Sequence, residues 1–195
     1  MSKIFCLMGK SSSGKDTIFS VLKQSELLKP IVIYTTRPKR DNEEQGREYF
    51  FIDEEKLKEY KLNNKVIEQR VYHTVNGPWY YATIDDGQFD SDDNYIMIVT
   101  LEAYANLVKY FGQEQVVPIY IDVEDGVRLE RALKREQEQS KPNYDELCRR
   151  FLADNKDFSK ENLEKANVYK YYRNDQLEEC IEEINNEIKE ILCIK

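Results

Sequence analysis

The chain has 195 residues, the size of one domain, and its 41% apolar content is enough for a core. With 37 acidic against 29 basic side chains the net charge is −8, which argues against broad nucleic-acid binding. One histidine (His73), four scattered cysteines (Cys6, Cys148, Cys180, Cys193) and apolar runs far below membrane-spanning length, such as Ile96-Met97-Ile98-Val99, argue against a zinc site, a disulfide framework and a membrane span.

The chain opens on Ile4-Phe5-Cys6-Leu7-Met8, an apolar run short enough for one buried parallel strand. It runs directly into Gly9-Lys10-Ser11-Ser12-Ser13-Gly14-Lys15 rather than into a secretory cleavage site, which predicts a cytoplasmic protein. Ile18, Phe19, Val21 and Leu22 then follow at helical spacing. Strand, glycine-bounded loop and helix form the context of a phosphate-binding P-loop. Gly9 and Gly14 let the backbone wrap an oligophosphate, with N–H groups pointing inward at a helix N-terminus and the Lys15 ammonium between phosphates. The pattern G-x-x-x-x-G-K-[ST] places a magnesium-ligating hydroxyl last; here that position is Asp16, with Thr17 one residue later. Either could serve Mg²⁺, Asp16 through a water being preferred.

Residues 31–34 read as a second buried strand, followed by the polar excursion TTRPKRDNEEQGREYFFI, which returns to an aromatic strand. Asp53 is the expected N-cap of a helix through Leu57 and Tyr60. The stretches 66–72 and 79–84, with Asn76-Gly77-Pro78 between them, predict a hairpin. Residues 85–94 are acidic and loop-like. Strands at 95–101 and 116–122, separated by a helix through Ala103, Leu107 and Tyr110 that closes at Gly112, predict a parallel sheet. Two charged helices cover 125–139 and 144–157, a last strand 167–172, and Leu177, Ile181, Ile184, Ile188 and Ile191 mark a closing amphipathic helix.

In the excursion, Arg37, Arg40, Glu43, Gly46 and Tyr49 keep the spacing of the acceptor-binding segment of guanylate kinases, which the chain resembles over essentially its whole length. The resemblance implies a P-loop α/β three-layer sandwich with a parallel sheet: core 1–34, 95–124 and 158–195, a small antiparallel acceptor-binding insert at 35–94, and a helical lid at 125–157. It implies ATP-dependent phosphorylation of a nucleoside monophosphate, GMP first, with Mg²⁺. The implied ATP site is Gly9, Ser11, Ser12, Ser13, Gly14, Lys15, Asp16 and Thr17, with Asn174, in Asn174-Asp175, near the adenine. The implied acceptor site is Arg37, Arg40, Glu43, Tyr49, Glu68, Tyr81 and Thr83, and Arg131, Arg135 and Arg150 match the lid arginines. The chemistry agrees. Two guanidinium forks and a tyrosine hydroxyl suit a small dianion, one carboxylate can accept N1–H and N2–H of guanine, and phosphoryl transfer needs mainly positioning and charge neutralisation.

Some residues depart from the family. Ile33 stands where a serine is usual, Ala82 replaces a glycine, and residues 85–94 replace a helix. Ile98-Val99-Thr100 replaces an acidic pair, Glu102 being the nearest carboxylate. Lys15-Asp16 is similar to the loop of ribose 1,5-bisphosphate kinases, so a sugar-phosphate acceptor is the alternative within enzymes. A non-catalytic peptide-binding module is the alternative outside them, and the intact loop argues against it. Small-molecule nucleotides are the expected partners of a monomer or homodimer.

Overall fold

The computed structural model describes residues 2–40, 43–74 and 77–194. Its centre is β1, Ile4–Gly9, every residue of which is buried. Alternate side chains of β1 enter two cores, as the two-residue period of a strand requires. Ile4, Cys6 and Met8 pack with Tyr104, Leu107 and Leu163, whereas Phe5 and Leu7 pack with Ile18, Leu22, Ile184 and Ile188. A strand buried on both faces has no room for polar residues, hence the unbroken IFCLM run.

The main sheet adds β2 (Lys29–Pro30), β7 (Tyr95–Ile98), β8 (Val116–Asp122) and β9 (Tyr171–Arg173), in the order β2-β7-β1-β8-β9 with every pair parallel. Helices α1 (Lys15–Leu22) and α7 (Leu177–Ile191) cover one face, and α3 (Leu101–Phe111) and the short α6 (Lys160–Lys165) the other. A second, mixed sheet runs β4-β3-β6-β5, from Phe50–Phe51, Tyr34–Thr35, Gly77–Ile84 and Val66–Thr74. Its outer face rests on α2 (Glu54–Leu62), through Leu57, Tyr34, Ala82 and Ile84. The Asp53 carboxylate caps α2 by accepting from Lys56 N at 2.7 Å. The helices α4 (Asp125–Gln137) and α5 (Tyr144–Asp157) form a hairpin beside the loop that follows β1. This is the P-loop α/β sandwich expected, with three differences.

The strand expected at 31–34 is divided between the two sheets. Pro30 has no N–H, and the next groups find three different partners: Ile31 N donates to Ile96 O, Val32 N to Gln88 Oε1, and Ile33 O accepts from Phe50 N. The chain therefore leaves the main sheet after β2 and enters the second at β3. The second sheet is also not wholly antiparallel, since β3 pairs with β4 in parallel. Finally, residues 160–165 form α6, capped by Ser159, and β9 begins only at Tyr171 because Asn167 turns the chain at φ 57°. The expected turn residue Asn76 lies outside the described residues. No helix among the described residues is long and apolar enough to cross a membrane.

Candidate active site

The loop between β1 and α1 is shaped by two left-handed residues, Ser12 (φ 62°) and Gly14 (φ 85°). Both glycines are crowded. A Cβ at Gly9 would lie 2.7 Å from Ser13 Oγ and 2.9 Å from Ile121 O, and one at Gly14 would lie 2.4 Å from Asn174 Nδ2. Asn174 is buried, at the end of β9, and donates from Nδ2 to Ser13 O at 2.8 Å across 161 residues of sequence. The hydroxyls of Ser12 and Ser13 are buried with no hydrogen-bond partner. Buried hydroxyls in an amide-lined loop are acceptor and donor capacity that a phosphate can use. Lys15 is half-buried at the start of α1, whereas Asp16 and Thr17, in its first turn, are exposed.

The far side of the loop is held by side chains from α4 and α5. Arg128 is 1% exposed, stacks on Phe151 with its guanidinium 4.9 Å from the ring centre, and donates from Nη1 to Ser11 O at 3.0 Å. Its Nη2 donates to Asp125 Oδ1 at 2.6 Å and to Asn155 Oδ1 at 3.0 Å. Asp154 accepts from Ser11 N at 2.6 Å, and Lys10 Nζ reaches Asp125 at 3.2 Å. Burial would raise the Asp125 carboxyl, yet bonds from Arg128 and then Lys10 hold it below the ordinary carboxylate value. Buried charges are tolerable only when paired in this way.

A second group of polar residues occupies the inner face of the mixed sheet. A β-bulge at Ile67 shifts the register between Val66, opposite Ile84, and Glu68, opposite Thr83. Val66 can then pack towards α2 while Glu68 turns to the inner face, a local re-aiming typical of bulges near sites. Thr83 Oγ1 donates to Glu68 Oε1 at 2.8 Å. Arg37 is buried at 4% exposure, donates from Nη2 to Glu43 Oε1 at 2.7 Å, and lies over the rings of Tyr49 and Phe51. The Glu43 bond raises the Arg37 guanidinium further, and the same bond holds the Glu43 carboxyl below its ordinary value. Tyr49 and Tyr81 meet edge to face at 5.6 Å, and burial pushes the Tyr49 hydroxyl up, keeping its proton available for donation at neutral pH. The loop and the cationic, aromatic sheet face are two polar groupings of the molecule. Thr100, the N-cap of α3, sits between them: the preceding residue Val99 donates from its N–H to Leu7 O of β1, and the Thr100 hydroxyl accepts from Arg70 of β5.

The family model "Guanylate kinase" matches residues 1–191. The chain belongs to the guanylate kinase family. It is 30% identical to the guanylate kinase of Mycoplasma mobile over 196 residues, covering 96% of this chain and 92% of that one. It is also 30% identical to the guanylate kinase of Mesomycoplasma hyopneumoniae over 202 residues, 98% and 96% of the two chains. The match to the guanylate kinase of Bacteroides fragilis, at 30% over 124 residues, spans 62% of this chain and 59% of that protein's length. A crystal structure of guanylate kinase from Anaplasma phagocytophilum superposes with a TM-score of 0.62 over 96% of this chain and 85% of the other, at 19% identity, and so shares the fold.

In this guanylate kinase family member the residues expected from the sequence fall into three sets. Gly9, Ser11, Ser12, Ser13, Gly14, Lys15 and Asn174 come together at the loop, although Asn174 uses its amide to fix Ser13 rather than facing outward. Arg37, Glu43, Tyr49, Tyr81, Glu68 and Thr83 share the inner sheet face. The arginines of the third set differ in their surroundings. Arg40 is exposed, and its backbone meets Glu43 twice, the N–H donating to Oε2 and the carbonyl accepting from Glu43 N. Arg131 reaches Asn174 O at 3.4 Å. Arg150 bonds Glu146 at 2.7 Å, and Arg149 and then Arg150 bring that carboxyl down to about 2. Arg135 and Arg150 line a cavity of about 390 Å³ between α4 and α5, with Ser11 and Arg128 in its wall. Arg128, Asp154 and Arg70 carry no motif that marks them as site residues in the sequence. Each sits among charged neighbours on a helix or strand that looks solvated, and only their burial distinguishes them.

Proposed function

We propose that this chain transfers the γ-phosphoryl group of ATP to a nucleoside monophosphate, with GMP as the preferred acceptor, in the cytoplasm. The observation that carries this reading is the inner sheet face itself. A buried guanidinium (Arg37) and two tyrosines suit an acceptor phosphate, while a buried carboxylate bonded by Thr83 suits the N1–H and N2–H donors of guanine. Membership of the guanylate kinase family supports it. An acceptor phosphate oxygen attacks the γ-phosphorus, the bond to the β,γ-bridging oxygen breaks, and ADP leaves. Lys15 and the loop N–H groups hold the donor phosphates, with the Ser12 and Ser13 hydroxyls as further contacts. Arg131, Arg135 and Arg150, on α4 and α5, move in as a lid and offset charge on the transferring group.

Asp16 and Thr17 carry oxygen ligands, as a hard cation requires, and either would hold Mg²⁺ beside phosphate oxygens and waters. Among the described residues no three His, Cys, Asp or Glu side chains converge on a metal site of their own. Bound there, the ion would neutralise phosphate charge.

A coupled ADP-release assay with GMP, dGMP, AMP, CMP, UMP and ribose 1,5-bisphosphate tests the reading. GMP should give the highest kcat/KM, and Lys15→Ala should retain less than about a tenth of the rate, since such groups are worth several kcal/mol. Preferential turnover of ribose 1,5-bisphosphate would replace the acceptor. ATP binding without turnover of any acceptor would make the chain a binding module.

A further inference from the structure

Glu68 and Arg70 lie two residues apart on β5, opposite Thr83 and Tyr81, and so share the inner face. The Glu68 side chain is 0% exposed and that of Arg70 12%. A carboxylate so enclosed needs a charge partner, and Arg70 supplies one. The pairing is poor, however. Arg70 Nε stands 3.2 Å from Glu68 Oε2 without alignment, and both atoms are left without a hydrogen bond. Arg70 Nη2 reaches Glu68 Oε1 only at 3.4 Å, and Nη1 reaches Thr100 Oγ1 at 3.5 Å. By comparison the Thr83 hydroxyl bonds the same Oε1 at 2.8 Å. A five-donor guanidinium whose contacts are misaligned at 3.2 Å or stretched to 3.4 and 3.5 Å is placed beside its partner but not satisfied by it.

We propose that Arg70 is a specificity-determining residue that donates to the O6 and N7 edge of a guanine acceptor, an inference that rests on the acceptor reading above. Along the edge of guanine the groups run N2–H, N1–H, O6, N7. A carboxylate that accepts the first two places the last two, both acceptors, beside whatever flanks it. A planar guanidinium matches that pair with two parallel N–H groups. Adenine presents the opposite pattern, with N6–H donors towards Arg70 and the N1 acceptor towards Glu68, so the Glu68–Arg70 pair rejects it at two points. When guanine binds, Arg70 exchanges its stretched contacts for the base and the Glu68 oxygens take the base donors, while Thr100 stays within reach of the guanidinium.

The test compares kcat/KM of the full chain with GMP, 6-thio-GMP (a weak acceptor at position 6) and 7-deaza-GMP (no acceptor at position 7), in wild type and Arg70→Met. Wild type should favour GMP over 6-thio-GMP by roughly tenfold or more, the discrimination expected of a bidentate base contact. In Arg70→Met the GMP rate should fall by a similar factor and the preference should collapse towards one, with the GMP-to-IMP ratio, set by N2–H at Glu68 and Thr83, unchanged. A fall of GMP and 6-thio-GMP together at constant ratio would mean that Arg70 only supports the fold, and would overturn the inference while leaving the acceptor reading intact. Wild type that turns over no guanine nucleotide would overturn both. If Arg70→Met does not fold, Arg70→Lys reads the same contact. It keeps a cation beside Glu68 but has no fork, so discrimination against 7-deaza-GMP should vanish while some against 6-thio-GMP remains. Retention of both in Arg70→Lys would sink the proposal.

Discussion

Replacing Arg128 with Met would remove a buried cation that ties the helical hairpin to the phosphate loop. The residue is 1% exposed, so solvent does not screen its contacts, and methionine fills much of the same volume. Lost with it are the bonds to Ser11 O, Asp125 and Asn155 and the stacking on Phe151. Breaking a buried charge pair from one side costs about 3–5 kcal/mol because the partner charge stays enclosed. Asp125, however, has a side chain 44% exposed and can turn to water, which discounts its share. The Ser11 carbonyl and the loss of stacking remain, and we take the total as about 3 kcal/mol. For a chain of this length that corresponds to a fall in Tm of about 6–12 °C. The freed loop should also weaken ATP binding by roughly tenfold, the equivalent of about 1.4 kcal/mol of ordering moved into the binding step. Calorimetric melting and a fluorescent-nucleotide titration read the two effects separately. Arg128→Lys should fall between, because an ammonium cannot serve Ser11, Asp125 and Asn155 with one planar fork. A Tm within about 2 °C of wild type together with unchanged ATP affinity would refute the view that Arg128 braces the loop.

Gly14→Ala should abolish ATP binding while the fold survives: its φ of 85° costs an alanine about 1–2 kcal/mol, and the new Cβ would drive Asn174 off Ser13. Undiminished ATP affinity in that variant would show the loop to be adaptable. For Glu43, held below its ordinary value by Arg37, the stability it adds is present above the unfolded carboxylate pKa and lost as pH falls through the lower folded one. The stability difference between wild type and Glu43→Gln should therefore be flat near neutrality and shrink only below roughly pH 4, and urea melts across pH check it. A difference constant into acid would rule out the Arg37 pair as its origin. Lastly, Asp16→Ala should raise the Mg²⁺ concentration needed for half-maximal rate more than Thr17→Val does. If both metal curves match wild type and only stability drops, Asp16 merely complements the helix N-terminus, at about 0.3–1 kcal/mol.

Where the physics is local, the sequence by itself determined the outcome. The apolar run of residues 4–8 reads as one buried strand, the glycine spacing that follows reads as a tight loop into a helix, and Asp53 and Gly112 mark helix ends through their own capping chemistry. Most of the phosphate loop and the Arg37, Glu43, Tyr49 set were legible for the same reason, since all but Asn174 lie within one short segment or the other. Tertiary structure decided what depends on partners far away in the chain. Whether residues 31–34 stay in one sheet is settled by Gln88, Ile96 and Phe50, none of them near in sequence. Arg128, Asp154 and Arg70 read as surface charges until α4, α5 and β5 fold against the loop and α3. Burial makes Arg128 and Asp154 a brace on the loop and sets Arg70 beside Glu68, because a guanidinium removed from water must spend its donors on whatever the fold places beside it.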